Sequence, residues 1–135
     1  MNAVDTNILI YVLDPRDTRK QTIASELVEG LSDQVILWQV LCEYVAASRK
    51  LAKYGFSQPE AFENIIKLTS LIPVSYPTVS NLLLSRDLMQ NYSLSFWDSM
   101  IVAGCMNAGV TTLYSEDFDA YPTVGTVRLV NPFRI

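Results

Sequence analysis

Five short apolar runs, at residues 1–4, 35–37, 72–74, 110–114 and 126–130, narrow the folds open to this chain more than any other feature. Helical patterns separate most of them. Strands joined through helices require right-handed crossovers, and these build a parallel sheet covered by helices on both faces. The spacing therefore predicts one α/β domain over residues 1–135, a three-layer α/β/α sandwich with a mostly parallel sheet of about five strands. A chain of 135 residues that is 50% apolar can fill one such core and is too short for two ordinary ones.

The helices can be placed from their end signals and apolar stripes. Helical spacing at Ile8, Tyr11 and Val12 follows the first strand directly, so Asp5-Thr6-Asn7 reads as a strand-to-helix turn. Asp17 or Thr18 caps a second helix that runs to about residue 30, with Ile23, Leu27 and Val28 turned inward. A long amphipathic helix is expected from about Trp38 to Tyr54, closed by Gly55, with a stripe of Val40, Tyr44, Ala47, Ser48 and Leu51. Ser57-Gln58-Pro59-Glu60 is a capping-box start for a helix to about residue 70, and residues 78–90 read as another. Residues 94–106 are apolar on nearly all sides, which predicts a buried helix, and Cys42 and Cys105 read as reduced core residues.

Composition removes several chemistries. The chain has no histidine, so a Ser-His-Asp or Cys-His nucleophile, a neutral-pH imidazole base and the usual zinc ligand are all excluded. A net charge of −4 argues against a surface coated for phosphate binding but leaves room for a nucleic acid reached through a bound cation. No basic leader opens the chain and no apolar run approaches the roughly 20 residues of a spanning helix. A soluble, cytoplasmic protein with no membrane partner is expected.

Four acids carry the functional reading. Asp5 stands at the carboxyl end of the first strand, the edge at which open α/β sheets bind ligands. Glu43 lies on or beside the inner stripe of the long helix, Asp98 in the first turn of the buried helix and Asp117 in the loop after the fourth strand. Each has a plainer reading: Ser95-x-x-Asp98 is a capping box, Glu43 reaches solvent if the helix is rotated slightly, and Glu116 or Asp119 competes with Asp117. Carboxylates gathered in one crevice repel unless they take up protons or hold a cation. Oxygen ligands without His or Cys select Mg²⁺ or Mn²⁺, and such a site suits phosphodiester hydrolysis. Thr6 and Asn7 would order it through hydrogen bonds to Asp5 or to water carried by the ion.

The segments Ala3-Val4-Asp5-Thr6-Asn7-Ile8-Leu9, Val40-Leu41-Cys42-Glu43-Tyr44, Phe96-Trp97-Asp98-Ser99-Met100-Ile101-Val102-Ala103 and Tyr114-Ser115-Glu116-Asp117-Phe118 resemble the four motifs of the PIN-domain ribonucleases. The resemblance extends to the closing Val130-Asn131-Pro132-Phe133 and is nearest to the VapC-type toxins of toxin–antitoxin pairs. It implies a metal-dependent endoribonuclease acting on RNA, homodimerisation, and inhibition by a small antitoxin. The implied site is Asp5, Glu43, Asp98 and Asp117, the last chosen on the hydroxyl-x-Asp pattern, with Ser115 supporting it alongside Thr6 and Asn7. Arg49, Lys50 and Lys53, clustered at the end of the helix bearing Glu43, are candidate phosphate contacts, although a helix C-terminus favours positive charge anyway. Two other readings compete: a PIN-like module that binds RNA or protein without cutting, and a haloacid-dehalogenase-like phosphotransferase using Asp5. The second wants an acid where this chain has Asn7 and a late lysine, whereas the last lysine here is Lys67.

Overall fold

The computed structural model describes residues 1–134. Strand β1 (Asn2–Val4) pairs in parallel with β4 (Thr112–Tyr114), which pairs in parallel with β6 (Val127–Val130). Beyond β6 a short strand, β5 (Thr123–Val124), runs antiparallel. On the other side of β1, β2 (Ile36–Leu37) and β3 (Val74–Ser75) form a separate parallel pair. A single parallel bridge, Asn2 to Gln34, joins that pair to β1, and the Asn2 N–H to Asp33 O and Val35 N–H to Asn2 O bonds secure it. The mostly parallel sheet and its helical cover agree with the sandwich expected from the sequence.

The helices are α1 (Thr6–Leu13), α2 (Thr18–Gly30), α3 (Trp38–Ser48), α4 (Gln58–Leu71), α5 (Val79–Asn91) and α6 (Phe96–Ala108). Their starts obey local chemistry. The Asp17 carboxylate accepts the Lys20 N–H to open α2, and the Ser57 and Ser95 hydroxyls accept the Glu60 and Asp98 N–H groups to open α4 and α6. Gly109 ends α6 in the left-handed region at φ 77°, which lets the Val110 N–H bond the Cys105 carbonyl at 2.8 Å and turns the chain into β4. Helix α6 packs on α5, β2 and β6, while α1 packs on α2 and α3 and α3 on α4. The core between them includes Ala3, Ile8, Val40, Tyr44, Val102, Leu113 and Val127, all almost fully buried.

Three expectations need correction. The long helix stops at Ser48, and Arg49–Tyr54 continue as a tighter 3₁₀ segment before Gly55 at φ 90°. Cys42 is exposed because α3 turns Val40, Leu41 and Tyr44 inward, leaving position 42 outside; Cys105 is buried as expected. The α6 segment is buried only from Ser99 onward, since Phe96 and Trp97 in its first turn face outward. Strand β5 adds to the expected set: Gly125, at φ 57°, and Thr126 form a two-residue hairpin turn that folds Thr123 and Val124 back onto β6.

Candidate active site

Strand β1 delivers its acid to the sheet edge by a simple device. The Asp5 N–H bonds the Tyr114 carbonyl at 2.9 Å, the last rung between β1 and β4, and α1 begins at the next residue. Asp5 is thus at once the strand end and the N-cap, with Oδ1 accepting the Thr6 N–H at 2.7 Å. It is only 5% exposed. Strand β4 brings Ser115 to the same edge, where its hydroxyl donates to Asp5 Oδ2 at 2.8 Å and accepts the Asp117 N–H at 3.1 Å. Asn7, one residue into α1 beyond Thr6, bridges outward: its Nδ2 donates to Ser115 Oγ at 3.3 Å and to Asp117 Oδ2 at 3.0 Å. Among the described residues, its buried Oδ1 has no hydrogen-bond partner.

Helix α3 contributes Glu43. Thr6 Oγ1 donates to one carboxylate oxygen at 3.3 Å and Gln39 Nε2 to the other at 2.7 Å, so both are held by neutral donors. Asp5, Glu43 and Asp117 line one cleft of about 320 Å³ with Thr6, Asn7 and Lys50. Asp98 is not part of that lining, yet its charge acts on Asp117. Of the three candidate cations only Lys50 reaches the cleft; Arg49 and Lys53 do not line it.

The electrostatics follow from burial and neighbouring carboxylates. Burial pushes the Asp5 carboxyl up to about 6, against the lowering effect of the Ser115 and Thr6 hydrogen bonds, and the charges of Asp117 and Glu43 add to the rise. The Asp117 carboxyl is also raised, first by partial burial and then by the charges of Asp98, Glu116 and Asp119, with the Asn7 hydrogen bond opposing. Glu116, the neighbour that competes for the fourth acid role, lines the cleft but is engaged elsewhere. It accepts from Tyr11 at 2.7 Å and from Lys20 at 3.0 Å. Asp119 accepts from Asn131 and pairs with Arg134 at 2.8 Å. Sequence reasoning missed Gln39, although its position four residues before Glu43 was a usable helical signal. It also missed Arg16, which lines the cleft in a two-pronged pair with Asp14.

The oxygen-only donor set fits a hard divalent cation. A buried aspartate with no basic partner and the unsatisfied Asn7 Oδ1 are the groups such an ion would relieve. Among the described residues no three acidic or cysteine side chains already close into a metal cage.

With this geometry in place, family comparison gives a direct answer: the PIN domain family matches residues 3–124, and the chain belongs to it. Membership sets aside the dehalogenase-like alternative. The fold is similar to that of a toxin–antitoxin complex from Klebsiella pneumoniae, at 19% identity and a TM-score of 0.75 with both chains covered in full. It is also similar to Mycobacterium tuberculosis VapC20, a sarcin-ricin loop cleaving toxin, at 19% identity and a TM-score of 0.70, covering 95% of this chain and 99% of that one. VapBC2 from Rickettsia felis, bound to a promoter DNA fragment, matches at 14% identity and a TM-score of 0.68, covering 96% and 97%. At these identities the likeness carries the fold. A search of curated protein sequences finds no match.

Proposed function

We propose that this PIN-domain protein is a divalent-metal-dependent endoribonuclease and the toxin of a toxin–antitoxin pair. The observation that carries the reading is the cleft itself: Asp5, Glu43 and Asp117 share one space at the carboxyl edge of a parallel sheet, with Asp98 acting on it and no basic side chain bonded to Asp5. Asp5 and Asp98 would hold Mg²⁺ or Mn²⁺, with Glu43 and Asp117 contributing directly or through water. When bound, the ion lowers the pKa of a water and stabilises charge on the phosphate and the leaving oxygen.

The chain's own residues do the positioning. Ser115 and the Thr6 N–H fix both oxygens of Asp5, and Gln39 and Thr6 fix Glu43. Asn7 ties Asp117 to Ser115, so the loop acid is registered against Asp5. With its carboxyl raised above the usual range, Asp117 is suited to take a proton from the attacking water. Structures of similar fold come from toxin–antitoxin complexes, which supports an antitoxin partner for this chain. Exposed Phe62, Ile66 and Leu71 on α4 and Val79, Leu82 and Leu83 on α5 offer apolar surface for that partner and for a homodimer. No described helix is long and apolar enough to cross a membrane, and an RNA substrate puts the place of action in the cytoplasm.

Cleavage of an end-labelled RNA pool by wild type and Asp98→Asn, with Mn²⁺, with Mg²⁺ and with excess chelator, tests the reading. Cutting that needs the cation and disappears in the variant supports it. Metal-independent cutting, or cutting retained by Asp98→Asn, refutes the assigned site. RNA binding with no cutting under any condition moves the chain to the non-catalytic binding modules.

A further inference from the structure

A second hollow, of about 500 Å³, opens beside the acid cleft and shares Glu43 with it. Gln39, Cys42, Ala46 and Trp97 complete its lining. Trp97 is 65% exposed, although a free indole face in water forgoes the burial that such a side chain ordinarily finds. The ring is nevertheless supported. Phe96 meets it edge-on, with centroids 5.0 Å apart and planes at 68°. The Gln39 Nε2 group donates both to the Trp97 carbonyl at 3.2 Å and to Glu43 at 2.7 Å, so one amide ties the backbone beneath the ring to a site acid. Cys42 and Ala46 stand one helical turn apart on α3, both small and exposed, and leave open space in the hollow. Along the same sheet edge Trp38 follows β2 and Tyr76 follows β3, their exposed rings 5.4 Å apart and 35° from parallel.

We infer that Trp97 is a stacking platform for an unpaired base of the RNA beside the bond that is cut. The inference rests on the ribonuclease reading and deepens it, since it makes the substrate single-stranded or looped. A nucleobase is flat and uncharged, and apart from Glu43 the hollow carries no charge. The adjoining phosphate belongs in the acid cleft, where a cation offsets the carboxylates. With a net charge of −4, and only Arg16 and Lys50 as cleft cations, the protein has few phosphate contacts to offer. Base stacking, which tolerates any sequence, supplies affinity that those cations cannot. A duplex keeps its bases stacked internally and cannot use the platform.

The chain has two tryptophans, so Trp38→Phe leaves Trp97 as the sole indole reporter. That protein is titrated, in Ca²⁺, with a uridine decamer and with the same strand annealed to its complement, following indole emission and, in parallel, anisotropy of end-labelled RNA. Single strand should quench Trp97 and duplex should not. Trp97→Leu should weaken single-strand binding roughly 5- to 150-fold, and Trp97→Tyr should recover most of it. In cleavage assays with Mg²⁺, Trp97→Leu should raise KM with kcat largely kept. Single-strand binding without quenching, or undiminished by Trp97→Leu, overturns the platform while the ribonuclease reading stands. RNA neither bound nor cut overturns both. If Trp97→Leu converts a dimer to a monomer in sedimentation and leaves RNA affinity unchanged, the hollow is a seat for a second copy and the platform is refuted.

Discussion

Replacing Asp5 with Asn in metal-free protein should raise its stability at pH 8, against the usual expectation for a buried, doubly hydrogen-bonded residue. Burial takes the Asp5 carboxyl from its ordinary 3.8 to about 6, so holding it ionised in the folded state costs about 3 kcal/mol. The sign follows from proton counting. Between about pH 4 and pH 6 the folded protein keeps a proton on Asp5 that the unfolded chain has released, so stability falls as pH rises through that window and the penalty is complete above it. Asn caps a helix as well as Asp does, so the bond from the Thr6 N–H survives. The Ser115 hydroxyl then faces an amide N–H₂ while its oxygen already accepts from Asn7 and Asp117, and that lost bond costs about 1 kcal/mol. The net gain is about 1–2 kcal/mol, or roughly 4–8 °C in Tm for a chain of this size. Thermal melts in excess chelator at pH 8 and pH 4.5 provide the assay. The gain should be present at pH 8 and should vanish or reverse at pH 4.5, where wild-type Asp5 is protonated. A lower Tm for Asp5→Asn at pH 8, or equal gains at both pH values, refutes the view that an ionised Asp5 strains the metal-free protein.

Three further predictions test neighbouring parts of the site. Lys50→Ala should reduce the dependence of log affinity on log salt by about 0.7 for a single-stranded RNA, whereas Arg49→Ala and Lys53→Ala leave it unchanged, because only Lys50 lines the cleft; three equal slopes would return the whole basic cluster to solvent. Asn7→Ala removes the bond that orients the Asp117 carboxylate, while the Asp117 N–H to Ser115 bond remains, and should slow cleavage roughly 10- to 100-fold at saturating metal with little change in Tm; unaltered cleavage would show that the Asp117 carboxylate needs no such orientation. Mg²⁺ at about a hundred times its Kd should stabilise wild type by about 2.7 kcal/mol at pH 8. The effect should be much smaller at pH 5, where Asp5 holds a proton, and a Tm shift independent of pH would place the ion elsewhere.

The sequence showed the site's backbone better than its wiring. Asp5 was legible because a buried strand running directly into a helix forces the intervening residue to the sheet edge; for Asp98, the Ser95 cap fixes only its place in the first turn of α6, and the structure leaves it outside the cleft lining. The local half of Gln39's role, its bond to Glu43 one turn along α3, was readable from the spacing, whereas its bond to the Trp97 carbonyl of α6 and the place of Arg16 on the cleft wall exist only after packing. Strand β5 was hidden by its length, since two residues between Pro122 and Gly125 carry no period to read. The helix through residues 38–54 was read as continuous because nothing in its stripe signals the tightening at Arg49. Cys42 sits inside an apolar helical run and so reads as core, but it lies off the inner stripe of Val40, Tyr44 and Ser48 and faces outward.

A comparison of two aspartates on either side of α1 supports the cation proposed for this site. Asp5 and Asp14 each show only 5% of their surface, but Asp5 lies deep in the fold and Asp14 close to its surface. Asp14 receives the Arg16 guanidinium on both oxygens, at 2.9 and 2.7 Å, and a backbone N–H as well, and these hold its carboxyl below the ordinary range despite its burial. Asp5 has two neutral donors and two like-charged neighbours, and its carboxyl moves the other way. The fold can therefore place a guanidinium against a buried aspartate at one end of α1, and at the other it places Asn7, a neutral amide with an unsatisfied acceptor. Simple stabilisation would favour a basic or apolar residue there, since an unpaired buried charge costs several kcal/mol. An acid left without a protein cation, next to an oxygen acceptor with nothing to accept, is the arrangement expected where positive charge arrives from solution as a metal ion.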